Sequence, residues 1–178
     1  MPTSGVTERR CRDLGVAVVP LGECTIDVAI DGADEVAADW SLTKGGGGAL
    51  FREKAVALAA SRFVVIVTPE KLVDRLGAFP TPVEVVPFSA RTVAHAIASA
   101  YPDVAIRRRG GTETPFVTDN GNAILDCAFD DIAEPALLDA ALRAIHGVVA
   151  TGIFPSAMTG VVLVGTRNGV DELPAPPP

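Results

Sequence analysis

The stretch D-G-A-D-E-V-A-A-D-W-S-L-T-K-G-G-G-G-A-L-F-R-E-K, from Asp31 to Lys54, constrains this chain more than any other segment. Two carboxylates, Asp31 and Asp34, close an alternating apolar run. Lys44, four consecutive glycines (Gly45–Gly48) and Glu53 follow, the last in the opening turn of a helical pattern. Glycines in series weaken a strand or a helix, so they mark the connection between one and the other. Strand, glycine loop and helix in that order point to a layered α/β domain.

The rest of the chain extends this pattern. A helix is expected from Thr7 to Leu14 and strands over Val16–Val19 and Thr25–Ile30, with Ile26, Val28 and Ile30 on one face. Ala49 to Ser61 reads as a helix rich in Ala, Leu and Lys. The continuous run Phe63–Val67 reads as a strand buried on both faces. After Pro80 the pattern changes: strand Pro82–Phe88, helix Arg91–Ala100, strand Val104–Arg108. A hairpin of Phe116–Thr118 and Ala123–Phe129 turns at Asn120-Gly121. Helix Pro135–Ile145 and strand Val148–Phe154 complete a ferredoxin-like order. Val161–Val164 returns to the first sheet. The expected architecture is α/β: a Rossmann-like parallel-sheet lobe (1–80 with 155–173, N-terminally incomplete) carrying an inserted α+β ferredoxin-like lobe (81–154). A disordered Pro-rich tail is expected over 174–178.

Composition narrows the function. Net charge is −7, which disfavours binding to nucleic-acid phosphates. No apolar run approaches the ~20 residues of a membrane span, and the first ten residues lack the apolar core of a secretory signal. Cys11, Cys24 and Cys127 form neither a zinc knuckle nor a disulfide framework, so a reducing cytoplasm is expected. An anionic substrate would need a local positive pocket, for which Lys44 and Lys71 are the candidates. The run Arg107-Arg108-Arg109 reads as a solvated strand end.

Ligands of open α/β sheets sit beyond the carboxyl ends of the strands. Asp31, Asp34 and Lys71 all fall there, beside the glycine loop. Glycine N–H groups at a helix start can hold a phosphate or a developing oxyanion. The lysine precedes the glycines, so this is not a P-loop. The loop taken alone reads equally as a tight connection needed for its shape. Lys44 and the acidic pair favour chemistry. Glu53 reads either as a helix-dipole partner, worth ~0.3–1 kcal/mol, or as a catalytic base. Asp31 and Asp34 with Glu35 could bind a divalent metal, but no histidine joins them and the EF-hand alternation is missing. His95 and His146 read as structural or surface residues, and Trp40 as packing near the loop.

D-G-A-D-E, K-G-G-G-G-A-L with R-E-K, F-P-T-P-V-E-V-V-P (Phe79–Pro87), T-D-N-G-N-A-I-L-D (Thr118–Asp126) and G-V-V-A-T-G-I-F (Gly147–Phe154) share order and spacing with one family. Over essentially all of residues 1–166 the chain resembles ribose-5-phosphate isomerase type A. The resemblance implies interconversion of D-ribose 5-phosphate and D-ribulose 5-phosphate in the pentose phosphate pathway, through an enediolate and without metal or cofactor. It implies that Glu53 moves the proton between C2 and C1. Asp31, Gly32, Ala33 and Asp34, then Lys44, Gly45, Gly46 and Gly47, and finally Lys71 would bind the sugar phosphate. It also implies a homodimer or homotetramer. The family begins with a further strand-helix-strand section whose loop grips the phosphate. This chain starts after the corresponding point, so weaker substrate binding is expected. Phe51 stands where many relatives are polar, with packing consequences only.

Overall fold

A computed structural model describes residues 1–174. Three four-stranded sheets organise them. The first contains β1 (Ile26–Asp31), β4 (Ala60–Val67), β11 (Val161–Thr166) and β12 (Gly169–Glu172) in that spatial order. β1, β4 and β11 are parallel and β12 returns antiparallel. Helix α2 (Leu50–Ala59) runs directly into β4 through Ala60, which takes extended angles. Helix α1 (Gly5–Asp13) begins at a Ser4 cap whose hydroxyl accepts from Thr7 N–H at 3.1 Å.

This sheet is buried on one face only. Ala29, Phe63, Val65 and Val67 join Trp40, Ala57, Phe154 and Val162 in a core. The opposite face leaves Val28 48%, Ile30 64% and Ile66 48% exposed. The expectation of a doubly buried Phe63–Val67 strand therefore fails: α2 covers one side, and α1 buries no residue at all. Val16–Val19 is likewise not a strand. Val16 N–H bonds back to Cys11 O at 2.8 Å as part of the end of α1, and the segment joins no ladder. Its β-branched residues have the propensity, but pairing decides.

The second sheet was not legible as such. It joins β10 (Ile153–Phe154), β3 (Leu42–Thr43), β2 (Glu35–Ala37) and β5 (Leu72–Val73). Trp40, in the turn between β2 and β3, adopts φ 68° and is 8% exposed, its carbonyl accepting from Thr159 Oγ1.

The third sheet has the order β7 (Ala105–Arg108), β8 (Ala123–Ala128), β6 (Thr81–Val85), β9 (Val148–Thr151), antiparallel throughout. With α3 (Ala90–Ala100) and α4 (Pro135–Arg143) it makes the ferredoxin-like β-α-β-β-α-β unit expected after Pro80. Val83, Val85, Leu125 and Cys127 pack there against Val93, Ile97 and Leu142. β6 stops at Val85 because Pro87–Ser89 forms a 3₁₀ turn. Phe116–Thr118 pairs only locally; β7 is the arm that pairs with β8.

The run Val148–Phe154 is broken at Gly152, so β9 and β10 belong to different sheets. Gly152 N–H donates to Pro82 O and its carbonyl accepts from Lys44 N–H. A Cβ there would collide with the Lys44 carbonyl, so only glycine fits the crossing. Of the expected tail, Pro174 is described; residues 175–178 lie outside the described residues.

Candidate active site

β1 ends at Asp31 and pairs there with Val65 of β4, two residues short of that strand's own end. Both strands therefore leave the sheet at its carboxyl end. Asp31 turns back on itself, Oδ1 accepting from Gly32 N–H at 2.8 Å. Its other oxygen lies 3.0 Å from Lys44 Nζ. Lys44 follows β3, and its stem is carried inward until the side chain is only 3% exposed. The ammonium also donates to Gly32 O at 2.5 Å and faces the Phe154 ring at 5.6 Å. A buried ammonium is tolerable only with partners of this kind. Ala33 is partly buried against the neighbouring core.

Glu53 completes the cluster from the first turn of α2, with Oε2 3.3 Å from Lys44 Nζ and its side chain 14% exposed. The separation is that of an ion pair, and among the described residues no group other than Lys44 approaches Oε2 as a donor. Burial raises the Glu53 carboxyl above its ordinary value of 4.5. Lys44 opposes that rise, and Asp31 and Asp34 add to it. A buried carboxylate whose charge is only partly met, by one cation shared with Asp31, is arranged as a proton acceptor.

The glycines hold the loop close to Asp34. Gly46 N–H donates to Asp34 Oδ2 at 2.7 Å, and a Cβ on Gly46 would come within 2.6 Å of the other carboxylate oxygen. No side chain caps α2, whose N-cap position is Ala49. Gly45 is buried, whereas Gly46 and Gly47 are exposed on the loop. The sequence-expected residues Asp31, Gly32, Lys44 and Glu53 are thus joined in one network, and Asp34 with Gly46 forms a second pair whose charge bears on Glu53.

Lys71 stands apart from that network. It closes the 3₁₀ turn Pro69–Lys71 after β4, at the carboxyl end of the sheet where β1 stops, and takes part in no ion pair among the described residues. Glu35 is turned elsewhere: Oε2 accepts from Thr43 Oγ1 and Gly77 N–H, and Oε1 accepts from Phe79 N–H at 2.7 Å. Its oxygens are spent on folding the chain after β5, which removes it from a ligand set with Asp31 and Asp34. His95 and His146 are exposed on the inserted lobe, and Phe51 is 39% exposed.

Two residues enter the site unforeseen. Arg109, expected to be solvated, has a side chain only 16% exposed. Its Nη1 donates to Gly45 O at 2.8 Å and Gly46 O at 3.0 Å, while Nε and Nη2 grip both oxygens of Asp126. Arg52, adjacent to Glu53, donates to Asn120 Oδ1 and Asp119 O in the Asn-Gly turn. That turn is itself fastened by Glu84, whose Oε1 accepts from Thr118, Asn120 and Asn122 side chains.

Residues 1–169 match the family model for ribose 5-phosphate isomerase A (phosphoriboisomerase A). The chain belongs to this family. A ribose-5-phosphate isomerase A of Methanothermobacter thermautotrophicus is 45% identical over 173 residues, 97% of this chain and 76% of the relative. The solved ribose 5-phosphate isomerase A of Methanocaldococcus jannaschii superposes with a TM-score of 0.90 at 40% identity, covering 97% of this chain and 76% of that one. A D-ribose-5-phosphate isomerase solved in complex with phospho-erythronic acid gives 0.91 at 37% identity, with the same coverage. The chain thus spans about three quarters of the length of these family members. Among the described residues no helix is long and apolar enough to cross a membrane.

Proposed function

We propose that this chain acts as an aldose–ketose isomerase on D-ribose 5-phosphate and D-ribulose 5-phosphate, with Glu53 as the base. The observation that carries the assignment is Glu53 itself: a buried carboxylate with a raised pKa, 3.3 Å from a buried lysine that it shares with Asp31. In the open-chain aldose, C2 bears the proton to be removed. Glu53 takes it, the C1 carbonyl oxygen gains negative charge, and Lys44 with glycine-loop N–H groups stabilises the enediolate. The carboxylic acid so formed at Glu53 then returns the proton to C1, while a hydroxyl proton passes from O2 to O1 to balance the reaction. Asp31 and Asp34 are suited to that second transfer. Removing one oxyanion donor in such a site typically costs ~3–4 kcal/mol of barrier.

The cluster pairs one lysine with three carboxylates (Asp31, Asp34 and Glu53), so it repels a phosphate. The phosphate end of the substrate therefore belongs away from Glu53, and Lys71 beyond the strand end is our candidate contact. Residues 1–80 with 155–173 form the catalytic lobe in this reading, and 81–154 the insert. The reaction belongs to the non-oxidative pentose phosphate pathway, and three unpaired cysteines suit a reducing cytoplasm; the homodimer or homotetramer of this reading rests on the family resemblance alone.

The test is a continuous assay of ribulose 5-phosphate formation by the chain and by Glu53→Gln, with and without EDTA. Turnover by the parent, its loss in the variant by about 10²–10⁴-fold, and indifference to EDTA are expected. Substrate binding without turnover in the parent would leave a phosphosugar-binding module in its place.

A further inference from the structure

The guanidinium of Arg109 is held by Asp126 and reaches the carbonyls of Gly45 and Gly46, so it bears on how the glycine loop faces the site. A trans peptide points its C=O and N–H in opposite directions. In the Gly45–Gly46 peptide the carbonyl meets Arg109 and the N–H meets Asp34, so that plane is fixed from both sides. The Gly46–Gly47 peptide offers its carbonyl to the same Nη1, which turns the N–H of Gly47 away from Arg109. That N–H has no backbone or side-chain acceptor among the described residues. Gly47 is exposed, and a Cβ added to it would meet nothing within 4 Å. The loop thus leaves the exposed Gly47 N–H without an acceptor among the described residues, in the peptide next to the one that Asp34 holds, with its direction set from behind.

Arg109 is itself rigid. Both oxygens of Asp126 hold its fork, Phe116 lies against it at 5.7 Å, and its backbone N–H bonds to Ile124 O at 2.9 Å. Its neighbours Arg107 and Arg108 are exposed, so only the third arginine of the run is committed. A lysine could not reproduce the arrangement, because a single ammonium lacks the planar fork that reaches a carboxylate and two carbonyls together.

We infer that Arg109, with Asp126 behind it, is a positioning residue of the isomerase. The inserted lobe thereby aims the Gly47 N–H at the substrate oxygen on which charge develops. This rests on the isomerase reading above. A donor aimed at developing charge acts in the transition state more than on bound substrate, so its disturbance falls on kcat.

The experiment compares Arg109→Lys and Arg109→Ala with Arg108→Ala by steady-state kinetics and by amide hydrogen exchange. Arg109→Lys is expected to lose about 10²-fold in kcat, with KM changed less than about threefold. Added guanidinium ion should restore part of the activity of Arg109→Ala, and Arg108→Ala should match the parent. Exchange at the Gly46 amide, which Asp34 protects, should accelerate in Arg109→Lys while core amides such as Val83 stay protected. A rise in KM alone, or an activity loss that follows only the fraction of folded protein without rescue, overturns the inference. So does an unchanged Gly46 exchange rate. A parent without turnover defeats the isomerase reading, and the exchange measurement still decides the clamp.

Discussion

Glu53 Oε2 and Lys44 Nζ stand 3.3 Å apart, with only 14% and 3% of their side chains exposed. The pair is not closed on itself, because Lys44 also serves Asp31 at 3.0 Å. One cation is therefore divided between two acids, and burial dominates the titration of Glu53. The ionised form is the working base, so kcat/KM should rise with pH along a limb lying above the ordinary carboxylate value of 4.5. Replacing Lys44 by Met removes the influence that lowers that pKa. The limb should then move further up in pH, along with a rate loss of about 10²–10³-fold. A pH profile of the residual activity checks both. A limb that stays in place, or moves down, would show that Lys44 does not act on Glu53.

The same raised pKa predicts a stability cost. Native Glu53 holds its proton to higher pH than the unfolded chain does, so its favourable contribution exists when protonated. That contribution is lost as pH climbs from 4.5 through the raised value. At pH 7 the buried charge is a liability, and Lys44 keeps Asp31 and Gly32 O if Glu53 is replaced. Glu53→Gln should accordingly raise the unfolding free energy at pH 7 by about 0.5–2 kcal/mol, the usual scale of a stabilising change at a functional site. The gain should fade below pH 4.5. Urea melts of both proteins at pH 7 and pH 4 test the gain and its fading.

How much of this was legible follows from distance along the chain. Asp31, Asp34, Lys44 and Glu53 lie in one short segment, so the sequence showed them together, while the β2–β3 pairing and the Gly152 crossing bring Lys44 back to Asp31. Arg109 could not be read in this way. Its role depends on β7 pairing with β8, which brings Asp126 opposite Arg107 and carries the next residues over the glycine loop. Nothing within the run distinguishes the third arginine from the first. Gly152 did offer a signal, since a lone glycine in a strand pattern marks a bulge or a close approach. Glu35 was misleading because D-x-x-D-E looks like one acidic cluster, while β2 carries Glu35 into the interior, away from Asp31. Val16–Val19 shows the converse, strand-forming residues left without a ladder.

Lys71 separates binding from chemistry. It sits on the 3₁₀ turn beyond β4 and outside the Glu53 network. A contact made equally in ground and transition states changes KM and leaves kcat alone. Lys71→Ala should therefore raise KM for ribose 5-phosphate by about tenfold or more, the loss of one charge-assisted contact of ~1.5–3 kcal/mol. Its kcat should stay within about threefold of the parent. Initial-rate kinetics over a wide substrate range check this, and a fall in kcat at unchanged KM would remove Lys71 from the binding set.

Lys54, next to the proposed base, points the other way and joins α2 to the inserted lobe. Its ammonium lies 3.0 Å from Asp139 Oδ1 on α4 and 2.7 Å from Ile153 O, with the Phe154 ring at 5.0 Å. Thr151 Oγ1 also donates to Asp139. Both ions are buried, at 8% and 5% exposure. Desolvation lowers the pKa of the lysine, and Asp139 pulls it back up. Taking away one member leaves the other charged and dry, a loss of about 3–5 kcal/mol, whereas removing both together can be nearly neutral. Arg143 is a poor substitute partner, since it reaches Asp139 Oδ2 only at 3.4 Å and is 60% exposed. Lys54→Met alone should thus be strongly destabilised in urea unfolding, and Lys54→Met with Asp139→Leu should recover most of the loss. A double variant whose loss equals the sum of the two single losses would mean that the ions do not depend on each other. The ion pair would then not be what fastens the helix bearing Glu53 to the lobe bearing Arg109.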